Sequence, residues 1–545
     1  MGPVVPTASR WHFGDFWSVV VPSKCPDEIE AEQFVVYWRR DATSFVVWRG
    51  LRFQRWMLLL AAVLTQIVNG ALYSRSLVNS RLDAAIFKNE EGHAVVAYYI
   101  ACGWIGFASA LFGPYVERHG PRAGVLLGGF LIILGHLAAG MSVLFASAPL
   151  YYIGYGVLVG IGVGITYIAP ISALQKWFPD LRGTAAGFGV CGFGLGASGW
   201  GPLYDPLIEK VGLSWLFVVV ALMIGVLCGL AALIMRTPPP NFRIHGQDMH
   251  GWRGSTPSSR SSPALLEDNV PVVDFVKAYD YLENELDESQ LYYHNKIKHL
   301  TLRECILSMD FAILYLTYLT CVATGIIGLS SLATIATNVF HASETHATQL
   351  VTITSIFNFF GRILLPMASD MVIRYGQLNP ACGRKLLFVF SLICQLIILL
   401  LLPHALRQVQ FTTFRALFCW LTFVYGGTVG AIPSLTTDLY GVYNTGTMHG
   451  VILTCWSLCA VIGGLTFNHN LNDWLQTMTY IDAYARDFGW LTVVVAIGCG
   501  LILLVRTNPV DRFYPGWQYT IWRFKIVLWT NLPADLAVDI SQRTI

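Results

Sequence analysis

The chain has 545 residues, 54% of them hydrophobic and only 12% charged, with a net charge of +2; a soluble domain averages roughly 45–50% and about 25%. That balance excludes a string of soluble globular domains and leaves no basic surface for nucleic acid. The 12 cysteines are scattered singly, mostly inside apolar runs, so they read as small buried hydrophobes, and no disulfide, metal or cofactor is expected.

Residues 1–55 form a polar N-terminal tail with charge, Pro and Trp where a signal peptide would carry an apolar core. Apolar runs of bilayer-spanning length follow at about 56–79, 94–116, 122–145, 149–175, 183–208 and 213–235, an N-terminal bundle over 56–235. The linker 236–303, with PPP, STPSSRSSP and ENELDES, is too polar and too broken by Pro and Ser to fold as a core and is expected to be largely disordered. Six more runs, at about 306–337, 345–373, 384–404, 412–437, 447–468 and 488–506, make a second bundle over 304–506. In the tail 507–545, the stretch GWQYTIWRFKIVLW from Gly516 to Trp529 reads either as a helix in the headgroup layer or as a loose aromatic tail.

The halves echo each other. PISALQKWFPDLRGTAAG from Pro170 answers PSLTTDLYGVYNTGTMHG from Pro433 at an offset of 263, matching Pro170 with Pro433, Gly183 with Gly446 and Gly187 with Gly450. GPYVERHG from Gly113 and PMASDMVIRYG from Pro366 each put an acid four residues on, Glu117 and Asp370. Duplicated halves are a common transporter plan, with the site between them near the bilayer midplane. With even spans in each half, 27 of the 35 Lys and Arg fall on the side of both termini and six on the other, which predicts cytosolic termini.

The two basic residues left inside predicted spans are Arg75 and Arg362. Arg362 stands eight residues before Asp370, roughly 12 Å from the helix end and close to mid-bilayer. A charge that deep is a functional hypothesis: its guanidinium can hold a carboxylate by two parallel hydrogen bonds, or it can bond helix carbonyls. Asn358, one turn earlier, can orient it. Arg75 lies roughly 28 Å along its helix, where it can snorkel or take part in coupling. Gln66, Asn69 and Tyr73 share one helix face, and Thr317, Tyr318, Thr320, Cys321 and Thr324 another; each face could line a cavity or glue helices. Glu117 with Arg118 and Arg122, and Asp370 with Arg374, are expected to form charge relays that gate one end, along with Lys176, Arg182 and Asp438. No acid falls in the inner part of any span, leaving His136 and His449 as titratable candidates for coupling, though a lone His there also suits packing. The Gly-rich runs 156–164 and 187–199 read as packing faces. No nucleophile, base and oxyanion-donor set is present, so an enzyme is not expected.

These motifs resemble the major facilitator superfamily, and within it the oxalate:formate antiporter and monocarboxylate porter group. The resemblance covers about 56–506 and rests on KWFPDLRG at Lys176–Gly183, GFGLG at Gly192–Gly196, GALY at Gly70–Tyr73, and YGG with TTDLYG in the tenth span. It implies an all-α membrane protein of twelve helices in two pseudo-symmetric six-helix bundles, a central cavity, and rocking between inward-open and outward-open states. It also implies that Arg362, in the pair Gly361–Arg362, binds the substrate carboxylate. Trp456 stands where the oxalate carriers have a Lys, which favours a monoanion, and Asn358 where monocarboxylate porters have an acid, which argues against proton symport by their mechanism. The expected protein is a monomeric carrier of small carboxylates such as pyruvate, lactate or formate, with Tyr73, Gln66, Asn69, Trp456, Tyr318 and Tyr425 lining the cavity around Arg362. A carrier of a neutral sugar or amino acid, or a transport-dead membrane sensor, would share the same layout.

Overall fold

Helices dominate because a backbone crossing hydrocarbon must satisfy every N–H and C=O within its own segment. The computed structural model describes residues 24–41, 44–74, 78–88, 93–239, 242–245, 247–251, 288–521 and 524–530. Among these, ten helices are long and apolar enough to cross a membrane. They include α1 (Met57–Ser74), α2 (His93–Leu144) and α3 (Ala148–Trp177). Two helices too short to span alone follow, α4 (Arg182–Gly194) and α5 (Gly196–Val211), then α6 (Leu213–Ile234). The second half holds α7 (Met309–Asn338), α8 (Glu344–Gly376), α9 (Pro380–Arg407), α10 (Phe411–Tyr440), α11 (Thr445–Leu475) and α12 (Tyr480–Leu504).

Two features bear on the expected count of twelve helices. The 52-residue α2 breaks at Gly120, whose φ of 84° and ψ of 164° suit glycine alone, and Pro121 restarts the helix where its missing N–H costs nothing; α2 is therefore two helices joined at a kink. Meanwhile α4 and α5 follow each other directly through Leu195. The outer faces of α6, α9 and α12 expose Leu222, Val226, Leu400, Val493 and Ile497, as faces turned to lipid do.

The repeat legible in sequence governs how the halves meet. A Cβ at Gly187 of α4 would lie 2.5 Å from the Arg362 carbonyl oxygen of α8, and one at Gly450 of α11 would collide with the Ser109 carbonyl of α2. Glycine at these two repeat-related positions lets the backbones of opposite halves touch, so α4 packs on α8 and α11 on α2.

The described terminal segments and the described ends of the linker gather at one end of the bundles, here called the terminal face, and depart there from the expected tails. The N-terminal segment forms a helix, Pro26–Ala31, and an antiparallel hairpin, β1 (Phe34–Arg39) with β2 (Phe45–Arg52). The C-terminal stretch expected as an interfacial helix is a second hairpin, β5 (Gly516–Ile521) with β6 (Phe524–Thr530), after a minimal pair in the linker, β3 (Arg243–Ile244) with β4 (Gln247–Asp248). Alternating aromatic and β-branched residues such as Trp517, Tyr519 and Ile521 prefer a pleated, half-buried surface. One arginine fastens each hairpin. Arg236, just past α6, donates to the carbonyls of Phe34 (2.9 Å) and Val35 (3.2 Å). Arg506, just past α12, donates to both oxygens of Asp310 at 2.9 Å and to the carbonyl of Asp511 at 2.8 Å. The linker is ordered at both ends, in β3–β4 and in a helix over Glu288–Lys298, while 252–287 lies outside the described residues.

Candidate functional site

Arg362 is 1% exposed and stands where α8 meets α4 of the other half. Its Nε donates to Asn358 Oδ1 at 2.8 Å, one helical turn back, and its Nη1 donates across the boundary to the Val190 carbonyl at 3.0 Å. The guanidinium lies 5.7 Å from the Phe193 ring centre and is within electrostatic range of the phenols of Tyr167, Tyr425, Tyr73 and Tyr318. Both halves build this cluster. The first supplies Tyr73, Tyr167 and Phe193, with Phe193 edge-on to Tyr73 (4.9 Å) and Tyr167 (5.6 Å). The second supplies Tyr318, Tyr425 and Trp456; Trp456 Nε1 donates to the Tyr425 hydroxyl at 3.2 Å and its ring meets Phe193 at 6.1 Å. Within it the Tyr318 hydroxyl and both ring nitrogens of His449 are buried with no hydrogen-bond partner, and His449 stacks on Tyr167 at 5.9 Å. A cation, aromatic faces and unpaired polar atoms suit a small anion with a short apolar part.

Two further expected lining residues bond between helices beside the cluster. Gln66 and Asn69 are fully buried in a rung between α1 and α3: Gln66 Nε2 donates to the Tyr167 carbonyl (3.1 Å), Asn69 Nδ2 to Gln66 Oε1 (3.1 Å), and Thr166 Oγ1 to Asn69 Oδ1 (2.6 Å). Their amides are engaged in bonds between helices, one of them to the backbone of Tyr167 in the cluster. His136 Nδ1 donates to the Ile132 carbonyl at 2.9 Å and the ring packs against Tyr155 and Phe217 inside the first half. Arg75 lies outside the described residues. Tyr167 and Phe193 escaped the sequence reading because an aromatic in a glycine-rich helix looks like packing; the one signal was Phe193 within GFGLG.

At the terminal face an ion-pair lattice joins the halves, with partners other than those expected. Asp370 of α8 accepts from the Gly183 N–H (2.9 Å), the Thr184 N–H (2.6 Å) and the Thr184 hydroxyl (2.7 Å), so it caps α4 of the other half. Its guanidinium partner is Arg384 of α9, not Arg374, which is exposed. Glu117 caps α11 in return, accepting from the Gly446 N–H at 2.7 Å while holding Lys176 Nζ and the Ser172 hydroxyl (2.9 Å). Arg182 donates to Asp438 at 2.7 Å across the boundary, and Arg384 also reaches Asp438 at 3.4 Å. Arg122 is no partner of Glu117: it caps the end of α6 through the carbonyls of Ala232 (2.9 Å) and Leu233 (3.0 Å). Arg118 is partly buried nearby. An anion at a helix N-terminus meets unpaired N–H groups and the positive end of the dipole, so each acid ties its own half to a helix of the other.

Two duplicated helical bundles, closed against each other at one face around a buried polar cluster, define a membrane transporter rather than an enzyme. Residues 51–464 match the family model described as Major Facilitator Superfamily, and the chain belongs to that superfamily. It is 24% identical over 472 residues to the oxalate:formate antiporter of Oxalobacter formigenes, covering 85% of this chain and 93% of that one. Over 160 residues it is 31% identical to monocarboxylate transporter 13 of Bos taurus, covering 28% of this chain and 35% of the relative. Its fold is similar to the proton:xylose symporter XylE, with a TM-score of 0.60 at 13% identity over 81% of this chain and 94% of the symporter.

Proposed function

We propose that the protein carries small monocarboxylates by alternating access, with Arg362 as the anion clamp. The observation that carries this reading is the buried guanidinium at the boundary of the halves, ringed by phenols from both and next to the unpartnered Tyr318 hydroxyl. A carboxylate entering the cluster would take the Arg362 bonds now made to Asn358 and Val190 and offer an acceptor to Tyr318, replacing neutral bonds by charge-assisted ones. One cation favours a single negative charge, since a second would be buried unpaired. The names of the relatives, an oxalate:formate antiporter and a monocarboxylate transporter, support the substrate class.

In this reading the terminal lattice is the cytosolic gate, on the side given by the excess of Lys and Arg, and it is shut. Coupling runs without a carboxylate beside Arg362, because Asn358 occupies that turn, so exchange or uniport is the expected mode. The test is uptake of radiolabelled formate, lactate and pyruvate into proteoliposomes, with and without a pH gradient and with a neutral sugar as control. Arg362→Gln should abolish uptake and Arg362→Lys should leave a weak remainder, a single ammonium lacking the planar fork. Unchanged uptake in Arg362→Gln, or sugar flux that ignores the substitution, would refute the anion assignment.

A further inference from the structure

On the terminal face of the second half lies a cleft of about 580 Å³ that the transport reading does not use. Its walls come from four places: the linker helix Glu288–Lys298, the segment leading into α7, the end of α10, and the chain just past α12. The volume falls within the roughly 300–1,000 Å³ of organic-ligand sites and far exceeds what a short carboxylate fills, so the cleft is not a second copy of the central site.

Two cations face it. Lys296 Nζ stands 4.5 Å from the Phe513 ring centre, and the Arg512 guanidinium stands 5.6 Å from the same ring and 5.0 Å from Tyr440. The Arg512 side chain is 5% exposed. Its Nη1 donates to the Leu439 carbonyl at 2.7 Å, but its Nε has no hydrogen-bond partner, the nearest carboxylate oxygen, Asp310 Oδ2, being 4.0 Å away. The two acids on the wall are already engaged. Asp310 is held by Arg506 through both oxygens, and Glu304 accepts from the Thr301 N–H and hydroxyl in a capping box. Asp310 is neutralised by Arg506, whereas Glu304 keeps its charge and offsets part of the field of Lys296, so the lining carries a net positive charge centred on Arg512, with His299 as a further donor and Tyr292, Tyr440 and Phe513 as flat apolar walls.

We infer that this cleft binds a phosphomonoester carried on an apolar or flat body, its phosphate between Arg512 and Lys296. A phosphomonoester carries about −1.5 to −2 charge near pH 7 and matches two cations where a monocarboxylate would leave one unpaired; aromatic faces beside cations suit a ring or an acyl chain. Nucleotides and phosphatidic acid headgroups share this chemistry. Occupancy pins the linker to the α10–α11 turn, where Asn444 Nδ2 already donates to the Leu300 carbonyl at 3.0 Å, a few residues from Asp438 of the interbundle lattice.

The test uses the purified full-length chain and follows thermal unfolding together with hydrogen exchange of residues 288–298, readouts that need no transport and do not depend on the carboxylate assignment. The probes are inorganic phosphate, adenosine monophosphate, adenosine, and nanodiscs with or without phosphatidic acid. Adenosine monophosphate or phosphatidic acid should protect the linker helix, adenosine should not, and inorganic phosphate should act only weakly. Lys296→Gln, a surface substitution, should weaken the effective probe roughly tenfold, and Arg512→Lys should weaken it further. Protection by phosphatidic acid alone, lost in both variants, assigns the site to the membrane's own lipid; protection by adenosine monophosphate assigns it to a soluble ligand. The inference is overturned if no phosphate probe protects the helix, if adenosine works as well as its phosphate, or if both variants respond like the parent.

Discussion

Asp370→Asn isolates the lattice at the terminal face. In the closed arrangement the carboxylate takes two backbone N–H groups and a hydroxyl at the start of α4 and pairs with Arg384. The amide keeps one oxygen, turns a donor toward donors and removes the charge from a helix N-terminus. Losing the dipole interaction costs about 1–2 kcal/mol in a partly buried site, and weakening the charge-assisted bonds costs about the same again, a total near 3 kcal/mol. At 1.4 kcal/mol per tenfold, a closed-to-open ratio of about 99:1 would fall to roughly even. Electron–electron double resonance between spin labels at His119 and Tyr375, exposed residues at the terminal ends of the two halves, should then show a second, longer distance. Glu117→Gln should do the same through Gly446 and α11, whereas Arg374→Gln should be silent. A distance distribution in Asp370→Asn that superimposes on the parent would refute the cap as the holding contact, and an effect of Arg374→Gln equal to that of Arg384→Gln would restore the local relay.

Acidification should release the linker. Burial, with Lys298 and Arg182 nearby, pulls the His250 imidazole down to about 3, and burial with Arg182 pulls His294 down to about 4. Because these folded-state values lie below the ordinary 6.5, docking is unaffected above that pH and weakens as pH falls below it, by about 2 kcal/mol for each histidine at pH 5. The groups around His250 are Lys298, Arg182, His294, His299 and Asp248, which accepts its backbone N–H at 2.9 Å. Limited proteolysis of the linker should therefore accelerate between pH 7 and 5 in the parent and stay flat in His250→Gln/His294→Gln; equal acceleration in both would count against it. Asn69→Ala should lower thermal stability by about 1 kcal/mol, typical of an interhelical hydrogen bond in a bilayer, without changing the KM for carboxylate. A raised KM at unchanged stability would return Asn69 to the substrate cluster.

How much of this was legible in the sequence follows from the range of each interaction. Apolar runs, the depth of Arg362 and its tie to Asn358 four residues back are local, and spacing along one helix reveals them. The hairpins had a local signal too: FVVYWR and FVVWRGLR flank a polar turn, a strand pattern obscured by reading the tail as a polar extension. Partner choice in the lattice was not local. Arg374 is four residues from Asp370 and is the natural helical partner, but the carboxylate turns toward the other half, where Arg384 also arrives. The repeat contained this information once two offsets are laid side by side. Gly183 and Gly446 differ by 263, and Glu117 and Asp370 by 253, so the acid of each copy meets the glycine of the other, as the two caps do. The same register aligns Arg362 with Ser109. Each supplies the carbonyl against which the partner helix glycine packs, yet Ser109 spends its hydroxyl on the Gly164 carbonyl within its own half, while Arg362 spans the boundary. Symmetric positions build the contact between the bundles, and the position where the copies diverge in charge is the one to which the proposed function gives the anion.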